Sequence, residues 1–193
     1  MTMEATQSQP AIPSGKLGIW FFLASEVMLF GGLISSYVIL RTGSPAFGIP
    51  ARELLGVPLA TLNTFVLITS SVTMVLALSA MQEGRLGAFR NYMLSTIGLG
   101  LAFLAVKAFE YHHKIHEGIT LSSSLFGAFY FTLTGLHALH VLGGIILNGY
   151  VLCAGLSGRV ISPDRPERVE YAGLYWHFVD VVWVFLFPIV YLL

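Results

Sequence analysis

A small set of ionisable side chains lies inside apolar stretches that are long enough to cross a membrane. The set comprises Glu26, His137, His140, His177 and Asp180. A charged carboxyl at the centre of a membrane helix costs about 2.5–3.5 kcal/mol on insertion scales. Protonation or a hydrogen-bonding partner lowers that cost. We therefore expect these residues to face the interior of a helical bundle and to form a buried polar cluster.

The spacing of these residues indicates which of them can meet. Glu26 lies about nine residues into the first apolar stretch, a depth of roughly 13 Å, and Asp180 lies about eight residues into the last one. His177 and Asp180 are three residues apart, so they share a helix face and are close enough in sequence for a hydrogen bond between them. We expect Glu26 to bond to one or more of His137, His140 and His177. Asp180 is then held by His177 or by a group on a neighbouring subunit.

A second polar group, in the sequence EYHHKIHEG, follows the third apolar stretch. Glu110 and Lys114 are four residues apart in the favourable order for an ion pair on a helix. Histidines can bind metals, but membrane metal enzymes need larger clusters of them, or pairs on facing helices. We expect no bound metal and no catalytic residue in this chain. A proton relay in a small transporter remains open, although no broken-helix pair or inverted repeat is visible.

The elements that position these side chains follow from composition. Hydrophobic residues make up 55% of the 193 residues and charged residues only 10%, and the mean hydropathy is +0.78. A membrane helix needs about 20 apolar residues, and five segments qualify: about 17–40, 58–81, 91–110, 122–152 and 172–193. The sequence predicts an all-α bundle of five transmembrane helices over 17–193, after a polar N-terminal tail at 1–16. That tail lacks the features of a cleaved signal peptide.

Other composition features exclude some classes of function. The formal net charge is zero, which gives no indication of nucleic-acid binding, and the single cysteine excludes a disulfide framework within the chain. Small residues spaced for close helix contact are Gly31 with Ser35, Gly32 with Ser36, and Gly127, Gly135 and Gly143. We expect those faces to meet protein rather than lipid. The three tryptophans are expected in an interfacial belt or in packing.

Orientation is predicted from the basic residues, because cytoplasmic loops are enriched in them. With the N-terminus inside, the cytoplasmic set is Lys16, Arg85, Arg90, Arg159, Arg165 and Arg168. The outer set is Arg41, Arg52, Lys107 and Lys114. Six against four favours a cytoplasmic N-terminus and an outer C-terminus.

Four stretches of the sequence together resemble one family. WFFLASEVMLFGGL (20–33), KAFEY (107–111), GLHALHVLGG (135–144) and YWHFVDVVWVFLF (175–187) resemble subunit III of cytochrome c oxidase, a haem–copper terminal oxidase, in the family's order. The resemblance implies a helical subunit without a redox centre of its own, packed against catalytic subunit I. Haem and copper are then expected in the partner subunits. It also implies bound phospholipid, support of proton uptake, and a bacterial plasma-membrane location. Glu26 resembles the family's carbodiimide-reactive glutamate.

The resemblance leaves some choices open. The long form of the family has seven spans, and this chain begins at what resembles the third, so lipids held by the first two helices are in doubt. Quinol oxidases and a nitric oxide reductase accessory protein share the family, and the motifs do not separate their electron donors or acceptors. We expect a non-catalytic subunit of a proton-pumping oxidase. For Glu26 we favour a structural role over that of an obligatory proton carrier.

Overall fold

The computed structural model describes residues 14–43, 55–157 and 166–193 of the chain. Five α-helices account for most of them: α1 Ser14–Gly43, α2 Val57–Gln82, α3 Leu86–His116, α4 Leu125–Ser157 and α5 Glu167–Phe187. All five are long and apolar enough to cross a membrane, and these ranges contain no β-strand. The predicted all-α fold with five spans is confirmed.

The helices form a four-helix bundle with one helix outside it. α2, α3, α4 and α5 pack as neighbours in a closed cycle, while α1 packs on α5 and more lightly on α4. In the most apolar part of α1 only 11% of the residues are buried, against 44% in α4 and in α5. Most of the surface of α1 is therefore available to lipid or to another subunit.

Close approach at the centre of the bundle depends on glycines around Trp176. A Cβ atom at Gly100 on α3 would lie 2.8 Å from the indole of Trp176, and one at Gly144 on α4 would lie 2.7 Å from it. The indole is fully buried, and its Nε1 donates to Ser70 Oγ on α2 at 3.1 Å. One side chain of α5 therefore contacts all three other helices of the bundle.

Two features of the chain fix how helices end. Gly84 has a φ of 72°, a left-handed conformation that favours glycine, and it turns the chain from α2 into α3 within three residues. Pro188 follows α5 and begins a π-helical turn, Pro188–Leu192. Because proline has no N–H to donate, the helical pattern changes there. Tyr191 in this turn is fully buried in the bundle.

The packing places the small residues and the tryptophans in different surroundings. Gly31 and Gly32 on α1 are exposed, and a Cβ built on either would have no atom within 4 Å. That their face meets protein rather than lipid stays a prediction. On α4 the expectation is met, since a Cβ at Gly143 would lie 3.4 Å from Tyr175 Oη. Trp176 and Trp183 are fully buried and are not part of an interfacial belt, whereas Trp20 is 55% exposed.

Several sequence-based expectations lie partly outside the described residues. The predicted polar tail 1–16 is described only from residue 14, where α1 begins. Arg52, Arg159 and Arg165, which enter the orientation count, also lie outside the described ranges.

Candidate functional site

Glu26 on α1 and His140 on α4 form a hydrogen-bonded pair. Glu26 Oε2 lies 3.0 Å from His140 Nε2, and the two side chains are only 14% and 15% exposed, respectively. The pair joins the peripheral helix to the bundle in the middle of its length. The prediction that Glu26 bonds to at least one histidine is confirmed, with His140 as the partner.

The backbone of α4 decides where the imidazole of His140 carries its hydrogen. His140 Nδ1 lies 2.8 Å from the carbonyl oxygen of Leu136, and a carbonyl can only accept, so Nδ1 must be the donor. Nε2 then faces Glu26 either as an acceptor from a protonated carboxyl or as a donor in an imidazolium–carboxylate pair. In both forms one proton lies between the two side chains and the pair has no net charge.

Side chains of α5 and α1 hold this pair in position. Tyr175 on α5 donates its hydroxyl to the carbonyl oxygen of His140 at 3.0 Å. The ring of Phe30 on α1 meets the His140 imidazole edge-on, with centroids 5.2 Å apart. Neither contact was predictable from the sequence, because each joins residues on different helices.

His177 and Asp180 do not bond to each other, so His177 is not the partner of Asp180, and a group on a neighbouring subunit stays a prediction. The nitrogen Nδ1 of His177 hydrogen-bonds instead to the hydroxyl of Ser71 on α2. Asp180 is 5% exposed, and neither of its carboxyl oxygens has a hydrogen-bond partner among the described residues. Ser71 lies near the Asp180 carboxyl but makes its hydrogen bond with His177. The hydrogen bond of His177 is therefore made to the neighbouring helix and not along its own.

His137 also lies apart from the Glu26–His140 pair. It is 1% exposed, its ring stacks on Trp183 with centroids 4.9 Å apart, and it meets Phe103 edge-on at 5.6 Å. Within the described part of the chain neither ring nitrogen has a hydrogen-bond partner. His137 is therefore packed as an aromatic ring in the core.

A second buried polar group surrounds Lys107 on α3, and we call it the lysine cage. Its members are Lys107, Glu110, Tyr130 and Tyr191. Lys107 Nζ donates to Glu110 Oε2 at 3.1 Å and also to the hydroxyl of Tyr191. The hydroxyls of Tyr130 and Tyr191 donate to Glu110 Oε1 at 2.8 Å and 2.7 Å. Both charges are paired and hydrogen-bonded, as buried charges require.

The lysine cage corrects one predicted ion pair. Glu110 pairs with Lys107 rather than with Lys114, and Lys114 pairs with Glu117 at 2.6 Å. Lys107, which the orientation count places in the outer set, is 3% exposed and lies within the bundle. Its ammonium lies 5.2 Å from the ring centroids of Trp183 and Tyr191, a cation–π distance that helps to stabilise a buried cation.

Polar contacts fasten α1 at three levels along its length. Lys16 near its start pairs with Glu170 of α5 at 2.8 Å, Glu26 pairs with His140, and Arg41 Nη2 near its end donates to the carbonyl oxygen of Leu193 at 3.4 Å. α1 also buries Leu23, Phe30 and Tyr37, and the three polar contacts add to that packing.

No group of three or more histidine, cysteine, aspartate or glutamate side chains arranged to hold a metal ion occurs within residues 14–43, 55–157 and 166–193. The Glu26–His140 pair and the lysine cage can hold protons and orient helices. They show no arrangement for binding haem or for nucleophilic chemistry.

Comparison with known proteins places this arrangement in a family. The family model described as cytochrome c oxidase subunit III matches residues 2–193. The chain is 38% identical to "Cytochrome c oxidase subunit 3" of Alkalihalophilus pseudofirmus, over 92% of this chain and 85% of that protein. In Bacillus subtilis it is 37% identical both to "Cytochrome c oxidase subunit 3" and to "Quinol oxidase subunit 3", covering 92% of this chain and 85% and 86% of those proteins.

The match extends over nearly the whole chain and includes the segments that carry both buried polar groups. The relatives include oxidases of two kinds by name, so the family itself does not distinguish the electron donor. The chain belongs to the cytochrome c oxidase subunit III family and is a multi-pass membrane subunit of a haem–copper oxidase.

Proposed function

We propose that this chain is a non-catalytic subunit of a proton-pumping haem–copper oxidase in the bacterial plasma membrane. It stabilises the catalytic subunit and supports proton uptake, while haem and copper belong to partner subunits. The observation that carries this proposal is the Glu26–His140 pair, a proton-holding contact in a helix bundle that belongs to the subunit III family. Among the described residues, no group of three or more histidine, cysteine, aspartate or glutamate side chains could hold a metal ion.

The proposed partner surface is the outward side of α1, where catalytic subunit I would pack. Gly31, Gly32, Ser35 and Ser36 are exposed there and form two small-xxx-small pairs. Small side chains let the backbone of a second helix come close, and this close packing favours helix association in lipid. A face that only met lipid would have no need of them.

A groove at the start of α1 supports the proposal of bound phospholipid. It has a volume of about 370 Å³ and is lined by apolar side chains of α1, α4 and α5, including Phe22 and Leu147. Arg168 also lines it and donates to the hydroxyl of Tyr150 at 3.4 Å. An acyl chain would fill the groove, and the guanidinium would bind the phosphate, a pairing that suits arginine geometry.

The proposed orientation has the N-terminus in the cytoplasm and the C-terminus outside. The positive-inside rule counts basic residues in loops, and Lys107 lies in the lysine cage inside the bundle. Removing it from the outer set leaves six basic residues against three, which strengthens the argument for this orientation.

The Glu26–His140 pair is proposed to act through structure rather than as an obligatory proton carrier. The proton between the two side chains has hydrogen-bond acceptors on both sides, and losing it would leave a carboxylate facing a lone pair on Nε2. The hydrogen bond between the two side chains therefore fixes α1 against α4. In this way it holds the proposed partner surface in position for catalytic subunit I.

Co-purification tests the proposal. The chain, carrying an affinity tag, is isolated from native membranes in mild detergent, and visible spectra and metal content are recorded for the complex and for the separated chain. We expect haem and copper in the complex and none in the chain alone. Stoichiometric haem in the isolated chain, or ion flux in liposomes that contain only this chain, would contradict the proposal.

The electron donor is tested in the same preparation. The chain is equally identical to the B. subtilis subunits named for cytochrome c oxidase and for quinol oxidase. Oxygen consumption by the complex is measured with reduced cytochrome c and with a quinol. We expect cytochrome c to be oxidised. Turnover with quinol alone would make the complex a quinol oxidase and leave the proposed role of this chain intact.

A further inference from the structure

The last turn of α3 carries two histidines whose ring nitrogens are free to bind a ligand. His112 and His116 are both exposed, and their ring centroids lie 4.4 Å apart. Neither ring has a hydrogen-bond or ion-pair partner among the residues that the structure describes. Residues four apart lie one above the other on a helix, so both imidazoles project from the same face.

The geometry of this pair suits a metal ion. A bond from zinc to an imidazole nitrogen is about 2.0–2.1 Å long, so two nitrogens on one ion lie at most about 4.2 Å apart. The ring centroids lie 4.4 Å apart and both side chains are exposed, so the rings are free to rotate until one nitrogen of each reaches the same ion. Two histidines at i and i+4 on one helix face are also the spacing by which helical zinc sites present their imidazoles.

The third histidine of this segment is held in a different contact. His113 Nε2 lies 3.0 Å from Glu117 Oε1, and the other oxygen of Glu117 accepts from Lys114 at 2.6 Å. Both carboxyl oxygens of Glu117 are therefore in contact with side chains of this segment, and this network holds His113 on a face adjacent to that of His112 and His116.

We propose that His112 and His116 form a binding site for one divalent transition-metal ion of the copper and zinc class. Imidazole nitrogens favour these ions, and copper binds more tightly than zinc at a given site. With two protein ligands the remaining positions are filled by solvent, so the affinity is lower than that of a four-ligand structural site. This revises the sequence-based expectation of no metal, and it is independent of the proposed oxidase function.

Binding would also act on the end of the helix. His116 is the last residue of α3, and helix ends open more readily than helix centres. An ion that binds only when both imidazoles lie on one face stabilises the folded turn by mass action. Protons compete with the metal for the same nitrogens, so binding is expected to weaken as the pH is lowered.

Titration of the purified full chain tests the site. The chain carries a tag without histidines, and zinc binding is measured by calorimetry for the wild type and for the variants His112→Ala, His116→Ala and His113→Ala. We expect the wild type to bind one ion per chain. Binding should be about tenfold or more weaker in His112→Ala and His116→Ala, since even the loss of an outer-shell contact costs about 10- to 100-fold in affinity. His113→Ala should bind as the wild type does. All three histidines are exposed, so their replacement should not disturb the fold. Circular dichroism checks that each variant folds.

Electron paramagnetic resonance with Cu²⁺ gives a second readout. The wild type should show hyperfine coupling of Cu²⁺ to two imidazole nitrogens. Either single variant, His112→Ala or His116→Ala, should show coupling to one imidazole nitrogen. Absence of zinc binding at millimolar concentration would overturn the proposal. Binding that none of the variants weakens, or that His113→Ala weakens as much as the other two, would overturn it as well.

Discussion

At the scale of single residues, the Glu26–His140 contact explains how a carboxyl can be placed in a membrane helix. The carbonyl of Leu136 fixes the hydrogen of His140 on Nδ1, so the side facing Glu26 accepts when the ring is neutral. A protonated carboxyl donates to it, and so would an amide nitrogen. This chemistry distinguishes a residue that must exchange its proton from one that needs only to donate a hydrogen bond.

We expect Glu26→Gln to retain oxidase turnover and Glu26→Ala to lose stability. The amide still donates to His140, whereas alanine leaves a largely buried imidazole nitrogen unpaired at a cost of about 1–3 kcal/mol. The measurements are the thermal midpoint of the purified complex and the decay of oxygen consumption during turnover. Ser25→Ala, at an exposed neighbouring position, is the control. Loss of turnover in a fully assembled Glu26→Gln complex would show that Glu26 is an obligatory proton carrier.

At the scale of helices, the contact of Trp176 with two glycines sets how closely α5 approaches α3 and α4. The indole fills the space that side chains at Gly100 and Gly144 would occupy. Packing in membranes gains little from hydrophobic burial and depends on such close contact. A single added methyl group at this point should therefore separate the helices.

We expect Gly144→Ala to destabilise the bundle by about 1–3 kcal/mol, the usual range for overpacking a core. The new Cβ would lie 2.7 Å from the Trp176 ring, which has no room to move because it is fully buried. Gly149→Ala on the same helix is the matched control, since nothing lies within 4 Å of its added Cβ. Thermal unfolding in detergent compares the two variants. Equal midpoints would mean that the indole is not a tight contact.

We expect Tyr191→Phe to loosen the π-helical turn at the end of the chain. The hydroxyl of Tyr191 donates to Glu110 and accepts from Lys107, and losing a buried partner of charged groups costs about 1–3 kcal/mol. Carboxypeptidase digestion of the purified chain should then be faster. Tyr150→Phe removes a hydroxyl from a tyrosine that is 54% exposed and should leave digestion unchanged. Equal rates in both variants would contradict this role for the lysine cage.

At the scale of the whole molecule, four helices form a closed bundle and α1 lies outside it. α1 is fastened by Lys16, Glu26 and Arg41, one polar contact near each end and one near the middle. This division gives the subunit a stable body and an exposed helix for assembly. Five spans also place the two ends of the chain on opposite sides of the membrane.

We expect a reporter fused to the C-terminus to be active on the outer side. Alkaline phosphatase at that end should be active and green fluorescent protein dark, while fusions in the turn between α2 and α3, beside Arg85, should behave in the opposite way. This expectation follows from the positive-inside rule, by which loops rich in arginine stay in the cytoplasm. Cytoplasmic activity at the C-terminus would reverse the proposed orientation.

The sequence alone determined the fold class and the family. In hydrocarbon every backbone polar group must be bonded within the segment, so apolar stretches of sufficient length can only be helices in such a chain. That rule is local, and it predicted five spans. The four family motifs are also local in sequence. Glu26 was recognised as needing a partner because a lone carboxyl in an apolar stretch is costly wherever the helix packs.

The tertiary structure alone decided which residues meet. The helices are apolar on nearly all sides, as lipid permits, so they show little of the amphipathic asymmetry that reveals a buried face. His137 and His140 are three residues apart, and at 3.6 residues per turn their directions differ by about 60°. That rotation turns His140 toward α1 and Glu26, and His137 toward Trp183 in the core. The rotation of each helix about its axis is set by packing against its neighbours, which no single stretch of sequence contains.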